Sequence, residues 1–180
     1  MGQVRIPAPV KFFCGLLIAP AISQDEVERA LQPAFGPVVL RSPLLPFTQT
    51  SYYEREMGGQ LMRCYVAFAP LRSVGELAEA KHLTNELEQL WSVAGEHRQV
   101  NLDPGYLDLA KVVLATTKDY THRLYIGAGM YAEVTLRYHR NSYQPWEWTY
   151  PDYRETTALM FFNQLREVYK AQLRRAWEAS

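Results

Sequence analysis

The first part of the chain pairs a long apolar run with a segment of helical periodicity. Val10 to Ala19 is apolar at nearly every position, a pattern typical of a central strand buried on both faces. Ser23 and Glu26 have the spacing of a capping box, and the apolar positions that follow predict a helix from Gln24 to Gln32. A strand and a helix therefore open the fold.

The same two patterns then recur in the order strand, strand, helix, strand. Val38 to Leu40 and Leu61 to Ala69 predict strands, joined by a long connection from Ser42 to Gln60. A helix follows this strand, and we expect it to end at Gly95. Gln99 to Asp103 then predicts a further strand. The helix begins at a second capping box, Ser73 with Glu76, and its predicted inward positions are Leu77, Ala80, Leu83, Leu87, Leu90 and Trp91. The order βαββαβ is that of a ferredoxin-like sheet.

The second part of the chain predicts a β-hairpin and a long closing helix. Leu107 to Ala115 is apolar and fits either a strand or a helix, and a glycine-rich turn centres a hairpin from His122 to His139. Asp152 and Glu155 have capping-box spacing, and the inward stripe of the following helix is Ala158, Phe162, Leu165, Tyr169, Leu173 and Trp177. We therefore predict an α+β fold, a ferredoxin-like first half extended by a hairpin and a C-terminal helix on one mixed or antiparallel sheet.

Length, charge and hydropathy limit the organisation and the partners. A chain of 180 residues with 48% hydrophobic content predicts one domain over residues 1–180. Nineteen basic and nineteen acidic side chains give a formal charge of zero, so no global field favours nucleic acid. Phe12 to Ala21 is interpreted as a buried strand rather than a secretory leader, and no other run reaches membrane-spanning length. We expect a cytoplasmic protein without membrane contact, and RNA binding is the least favoured function.

The two cysteines predict packed thiols. Cys14 and Cys64 lie within apolar segments and lack the paired spacing of a zinc site. They are therefore interpreted as reduced, and a disulfide between them remains the alternative in an oxidising compartment. The chain also has no Gly-x-Ser-x-Gly elbow for a catalytic serine. Nucleophilic catalysis is accordingly not expected.

Several separate strings resemble one prokaryotic family of uncharacterised proteins, the domain-of-unknown-function family 4416. The resemblance covers nearly the whole chain and rests on these strings: Pro46 to Thr48, Tyr52 to Glu54, Glu56 to Gly58, Asn101 to Tyr106, Thr116 to Asp119, His122 with Arg123, Tyr131 to Leu136, and Trp148 to Tyr153. The resemblance implies no activity. Members are sometimes labelled GTP-binding proteins, but the chain lacks a Gly-x-x-x-x-Gly-Lys-Ser/Thr loop, and Gly58-Gly59 is followed by neither Lys nor Ser/Thr.

The predicted hairpin brings a cation opposite a carboxylate. A turn centred on Ala128 places Arg123 opposite Glu133 and Tyr125 opposite Tyr131. This face of the hairpin is either part of a polar site or a solvated strand surface with an ordinary ion pair.

Cationic side chains cluster in the segment that enters the hairpin. Lys118, His122 and Arg123 could gather around an anion such as phosphate, and Arg63 could join them from the third strand. The alternative is a polar turn in which Asp119 caps the backbone and Lys118 is solvated.

Three further side chains are candidates for acid–base chemistry. Asp103 lies in Asp103-Pro104-Gly105, a string that favours a type II turn at the end of a strand. With Glu133 and His122 it could act in general acid–base catalysis, or could coordinate Mg²⁺ or Mn²⁺, although no regular ligand spacing supports a metal. The cofactor therefore stays unknown, and whether the protein is an enzyme stays open.

Two further hypotheses concern surfaces. Tyr143, Trp146, Trp148, Tyr150 and Tyr153 form an aromatic loop, which either packs beneath the last helix or stacks on a base or sugar. The leading functional hypothesis is a binding or catalytic site for a small phosphate-bearing ligand. The alternative is a non-catalytic interaction module or homodimer that uses the long connection or this loop.

Overall fold

One large antiparallel sheet organises the molecule. The computed structural model describes residues 2–93 and 97–178, and Gly95 lies outside these residues. The helices are α1 Gln24–Phe35, α2 Glu54–Met57, α3 Leu77–Glu88 and α4 Thr156–Glu178. The strands are β1 Val10–Ile18, β2 Val38–Arg41, β3 Leu45–Pro46, β4 Met62–Arg72, β5 Ser92–Val93, β6 His97–Arg98, β7 Val100–Leu107, β8 Lys111–Thr116, β9 Leu124–Gly127, β10 Met130–His139 and β11 Ser142–Pro145. The α+β class is confirmed.

The strands of the large sheet follow the order β11-β10-β8-β7-β1-β4-β2. In addition, β3 pairs with β4 and β9 pairs with β10, while β5 and β6 form a separate two-stranded ribbon. Every pairing is antiparallel. The strand β1 lies near the centre of the sheet, and all of its residues are buried, as its apolar run predicts.

Helices cover the two faces of the sheet differently. The even-numbered side chains of β1 pack against α1 and α3, and the odd-numbered Phe13 packs with α4. The far end of this second face contacts the long connection, where Leu17 packs with Met57 and Leu61. The helix α4 thus leaves part of this face to be covered by residues 42–60.

Most predicted helix faces are confirmed, with two exceptions at helix ends. Leu90 is 67% exposed and Trp177 is 71% exposed, although both were predicted to face inward. Leu90 lies in a 3₁₀ turn, Gln89–Trp91, that changes the periodicity after α3. Trp177 lies in the last turn of α4, beyond Leu173, the last buried residue of that helix. The helical stripe therefore predicts burial only where the sheet continues beneath it.

The predicted turn at Asp103-Pro104-Gly105 is wrong, because these residues lie within the continuous strand β7. Gly105 is required for close packing: a Cβ there would collide with the carbonyl oxygen of Val113 and the ring of Phe13. Proline and glycine serve strand packing here rather than chain reversal.

The hairpin register is confirmed. Tyr125 pairs with Tyr131, and Gly127, Ala128 and Gly129 all have positive φ in the turn. Leu124 pairs with Ala132 and therefore lies on the same face, but it is 76% exposed because it is at the edge of the sheet. The ambiguous segment after Leu107 forms the strand β8.

Both cysteines are free and buried. Cys64 pairs with Leu16, and Cys14 pairs with Val66, two positions further along the pairing of β1 with β4. Burial raises the pKa of Cys14 well above its ordinary value and that of Cys64 to about 12. Neither thiol is activated as a nucleophile. Among the described residues, no helix has the length and apolar character needed to cross a membrane.

Candidate functional site

The sheet splits between β7 and β8. Their pairing stops at Gly105, so within the described residues Leu102 has no strand partner on this edge. Two side chains of α3 take its backbone groups instead: Glu88 Oε1 accepts from the N–H at 2.7 Å, and Lys81 Nζ donates to the C=O at 2.7 Å. Alternate residues turn their backbone groups to the same edge, where Pro104 has no N–H to satisfy. The split is therefore built into the fold.

A cavity of about 940 Å³ occupies this split. Its volume lies within the range of small-molecule sites, roughly 300–1,000 Å³. Its floor is the sheet face that α4 leaves uncovered, and residues 42–60, here named the cover, lie across it. All six side chains singled out from the sequence line this cavity: Asp103, Glu133, His122, Lys118, Arg123 and Arg63.

Arg63 joins two carboxylates on the β4 side of the cavity. Its Nη1 lies 3.2 Å from Asp103 Oδ2, and its Nη2 lies 2.7 Å from Asp152 Oδ2. Asn101 also donates to Asp103 Oδ2, so Oδ1 is left without a hydrogen bond from any described residue. Burial opposes the charge of Asp103, but Arg63, Lys81 and Asn101 outweigh it and lower the pKa of this carboxyl. Asp103 is thus a carboxylate at neutral pH with one oxygen available.

Glu133 anchors the opposite side of the cavity. Its Oε2 accepts from Arg123 Nε at 2.8 Å and from His122 Nε2 at 3.2 Å, and its side chain is only 1% exposed. Around Glu133 this face is therefore covered rather than solvated, whereas Tyr125 on the same face is 63% exposed. A covering loop buries the face around Glu133, because Trp148 donates to the Val134 carbonyl across the same strand. Glu133 positions its neighbours rather than facing a ligand.

His122 has the most accessible side chain of this group. Its ring stacks on Trp148 with centroids 5.4 Å apart, and its side chain is 20% exposed. Because a carboxylate only accepts, Nε2 carries the proton in the contact with Glu133. In the neutral ring Nδ1 is then an acceptor, and none of the described residues donates to it. His122 is therefore placed for general acid–base work.

Each of the three guanidinium nitrogens of Arg123 donates to a protein group. Besides Glu133, it donates to the Lys118 carbonyl at 2.9 Å and to the Tyr150 hydroxyl at 2.6 Å. Its guanidinium also lies over the ring of Tyr120. Arg123 therefore fixes the backbone that carries Lys118 and supplies positive charge, but it has little capacity left for a direct ligand contact.

Lys118 has the least engaged cation of the site. Its ammonium donates to the Tyr52 hydroxyl of the cover at 2.8 Å and forms no ion pair with a carboxylate of the described chain. The hydrogen bond and the charge of Lys118 lower the pKa of Tyr52. Asp119, predicted nearby, is exposed and does not line the cavity. An anion could replace the neutral hydroxyl with a stronger, charge-assisted partner.

A second polar contact holds the cover at Glu56, four residues after Tyr52. Arg98 pairs with Glu56 of α2 at 2.7 Å and with Glu88 of α3 at 2.8 Å. Tyr52 and Tyr53 both line the cavity: Tyr52 accepts from Lys118, and burial raises the pKa of the Tyr53 phenol. The cover thus closes the site through polar contacts.

Several lining residues were not predicted. Lys81 and Glu88 were detectable, because both occupy the inward stripe of α3 between apolar positions. Asp152 was interpreted as a helix cap, but it instead pairs with Arg63. The aromatic loop divides: Tyr143 and Tyr153 pack beneath α4, while Trp148 and Tyr150 line the cavity. Only tertiary structure reveals this division.

The hypothesis of a hard-metal site receives no support from the geometry. No group of three His, Cys, Asp or Glu side chains in residues 2–93 and 97–178 has the arrangement of a metal site. Asp103 is committed to Arg63, and Glu133 is committed to Arg123 and His122.

The fold and the cavity define an α+β protein with a charged, small-molecule-sized site at a split in its sheet. The chain belongs to the family described as Domain of unknown function (DUF4416), whose model matches residues 8–169. The resemblance carried by its separate sequence strings is confirmed. No curated protein and no solved structure matches the chain significantly.

Proposed function

We propose that the cavity binds a small ligand bearing a phosphate group, with the phosphate beside Lys118. The observation that carries this proposal is the state of the Lys118 ammonium, which lines the cavity and contacts only the Tyr52 hydroxyl among described polar groups. A phosphate oxygen is a better partner for an ammonium than a neutral phenol, since the hydrogen bond is then charge-assisted on both sides.

The neighbouring side chains suit this role. Arg123 holds the Lys118 carbonyl and adds a second positive charge, while Glu133 fixes both Arg123 and His122. Within this proposal His122 is the group that accepts or donates a proton, and Asp103 offers its free oxygen to a donor on the ligand. Glu133, an initial candidate for general base, becomes a positioning residue because it is almost completely buried.

We also infer that the first half of the chain is a ferredoxin-like unit working in the cytoplasm. The order β7-β1-β4-β2, with α1 and α3 on one face, supports the fold. Free thiols on the neighbouring strands β1 and β4 support a reducing compartment.

A thermal-shift panel tests the proposed function. The compounds are inorganic phosphate, pyrophosphate, sugar phosphates, nucleotides, sulfate and divalent chlorides. A ligand at one hundred times its Kd stabilises the native state by about 2.7 kcal/mol, which corresponds to roughly 5–10 °C for a chain of this size. We expect such a rise from a phosphate ester and its loss in Lys118→Ala.

Lys170→Ala is the matched control, because Lys170 lies on α4 and pairs with Glu167 away from the cavity. Arg123→Ala is a poor test, since it leaves the buried Glu133 carboxylate without its main partner and destabilises the fold. A rise that persists in Lys118→Ala would remove the proposal. A panel without any response, with a dimer by light scattering, would favour the interaction module.

A further inference from the structure

The split in the sheet separates the charges of the cavity into two unequal sides. On the β8 and β10 side, Lys118 and Arg123 face one carboxylate, Glu133. On the β7 and β4 side, the cations are outnumbered by carboxylates; the cations are Arg63, Lys81 and Arg98, and the carboxylates are Asp103, Asp152, Glu56 and Glu88. With His122 neutral, one side carries a positive excess and the other a negative excess.

The sheet order makes this division spatial. The strands β10 and β8 lie on one side of the split, and β7, β1 and β4 lie on the other. Neighbouring strands are about 4.8 Å apart, so Glu133 on β10 and Arg63 on β4 are separated by several strand widths. A ligand that fills the cavity therefore contacts regions of opposite charge at its two ends.

Asp103 is the open acceptor on the negative side. Its Oδ2 takes all the hydrogen bonds from Arg63 and Asn101, its Oδ1 takes none from the described residues, and the side chain is 24% exposed. The other carboxylates of this side are engaged by protein groups, Glu88 by Leu102 and Arg98, and Asp152 by Arg63. Asp152 Oδ1 also takes no hydrogen bond from the described residues, but the Asp152 side chain is only 10% exposed. Asp103 Oδ1 is therefore the more accessible of the two open carboxylate oxygens.

The cover repeats the same division with two neighbouring tyrosines. Tyr52 lies at Lys118, and its phenol is a hydrogen-bond acceptor there. Tyr53 lies within electrostatic range of Asp103 and Arg63, and its ring packs against Phe47 and Tyr52. The cover therefore contacts both ends of the cavity, and the Lys118 end remains open to solvent because Lys118 and Tyr52 are exposed.

Resting on the proposed function, we propose that the ligand is a phosphate ester that also carries a primary amine, with the phosphate at Lys118 and the ammonium at Asp103 Oδ1. The ammonium neutralises the negative excess of the β7 and β4 side and supplies the donor that Oδ1 lacks. A phosphate without an amine satisfies only one end. The preference for a phosphate with an amine over one without it then depends on Asp103. The binding of both kinds of phosphate depends on Lys118.

The test compares matched probes by isothermal titration of the full chain: alkyl phosphates, hydroxyalkyl phosphates and aminoalkyl phosphates of graded chain length. We expect the best aminoalkyl phosphate to bind at least about tenfold more tightly than the alkyl phosphate of equal length, since a hydrogen bond between charged groups contributes more than a neutral contact. Asp103→Asn should reduce this ratio to near one. Asp25→Asn, on the exposed side of α1, should leave it unchanged.

The outcomes separate this inference from the proposed function. If no alkyl or aminoalkyl phosphate binds, both ideas fail. If the two bind equally, or the hydroxyalkyl probe matches the aminoalkyl probe, the amine is excluded while the phosphate site survives. Because Asp103 pairs with Arg63, Asp103→Asn is checked by its melting transition, and the wild-type ratio decides the question if that variant does not fold.

Discussion

Lys11 shows how strongly a single residue can depend on its surroundings. It lies in the central strand β1, is fully buried, and donates one hydrogen bond to the Ala69 carbonyl at 2.7 Å. Burial lowers the pKa of Lys11 from 10.5 to about 8. The charged form therefore costs stability at neutral pH.

This cost predicts a dependence of stability on pH. Above about pH 8 the folded state loses the Lys11 proton while the unfolded chain retains it, so the free energy of unfolding rises with pH until the ordinary pKa of 10.5 is approached. Urea unfolding across this interval should show the rise in the wild type and a smaller one in Lys11→Met. Lys170→Met, on the surface of α4, should follow the wild type. Equal slopes in wild type and Lys11→Met would refute the role of Lys11.

The residues of the site were partly predictable. The pairing of Arg123 with Glu133 followed from the glycine turn, because a hairpin turn determines cross-strand register. The burial of Glu133 did not follow, since Trp148 and Tyr150 come from a loop whose position depends on the rest of the fold. Local register can be deduced from sequence, but the covering of a strand face cannot.

At the scale of elements, α3 supports the split by acting as a partner for β7. Glu88 accepts from the Leu102 N–H and from Arg98, and burial raises the pKa of this carboxyl despite these contacts. Glu88→Leu leaves a buried N–H unpaired and Arg98 with one carboxylate fewer. We expect a loss of roughly 2–4 kcal/mol in the free energy of unfolding, measured by urea denaturation.

The control for this prediction lies on the same helix. Glu86 is exposed, so Glu86→Leu should change the free energy of unfolding by less than about 0.5 kcal/mol. If Glu88→Leu were as stable as Glu86→Leu, the backbone of Leu102 would not need α3, and the split would have another origin.

The misreading of Asp103-Pro104-Gly105 has a physical cause at the same scale. Proline and glycine mark turns, but they also mark a strand edge that needs no donor and a close backbone approach. Lys81 and Glu88 are charged residues on the otherwise apolar stripe of α3. Their position indicates that backbone groups of a neighbouring strand need side-chain partners. The proline and glycine of β7 and the charged residues of α3 could be interpreted correctly only when considered together.

At the scale of the whole molecule, the elements and their order were predictable, but the enclosure was not. An apolar run predicted β1, serine caps with apolar stripes predicted α1 and α3, and an apolar stripe predicted α4, because these signals are local. The cover contacts the cavity through the hydrogen bond between Tyr52 and Lys118. These residues are far apart in sequence, so no local pattern predicts the contact. The cavity exists only when the sheet, the cover and the aromatic loop are assembled.

The central claim is that this cavity binds a phosphate group at Lys118. The most direct test is titration of the ¹⁵N-labelled protein with inorganic phosphate and pyrophosphate, followed by amide NMR shifts. The account predicts saturable shifts concentrated at Thr117, Lys118 and His122 and at Tyr52 of the cover, all of which line the cavity, and their loss in Lys118→Ala. Shifts confined to other surfaces, or none at phosphate concentrations that saturate ordinary anion sites, would contradict it.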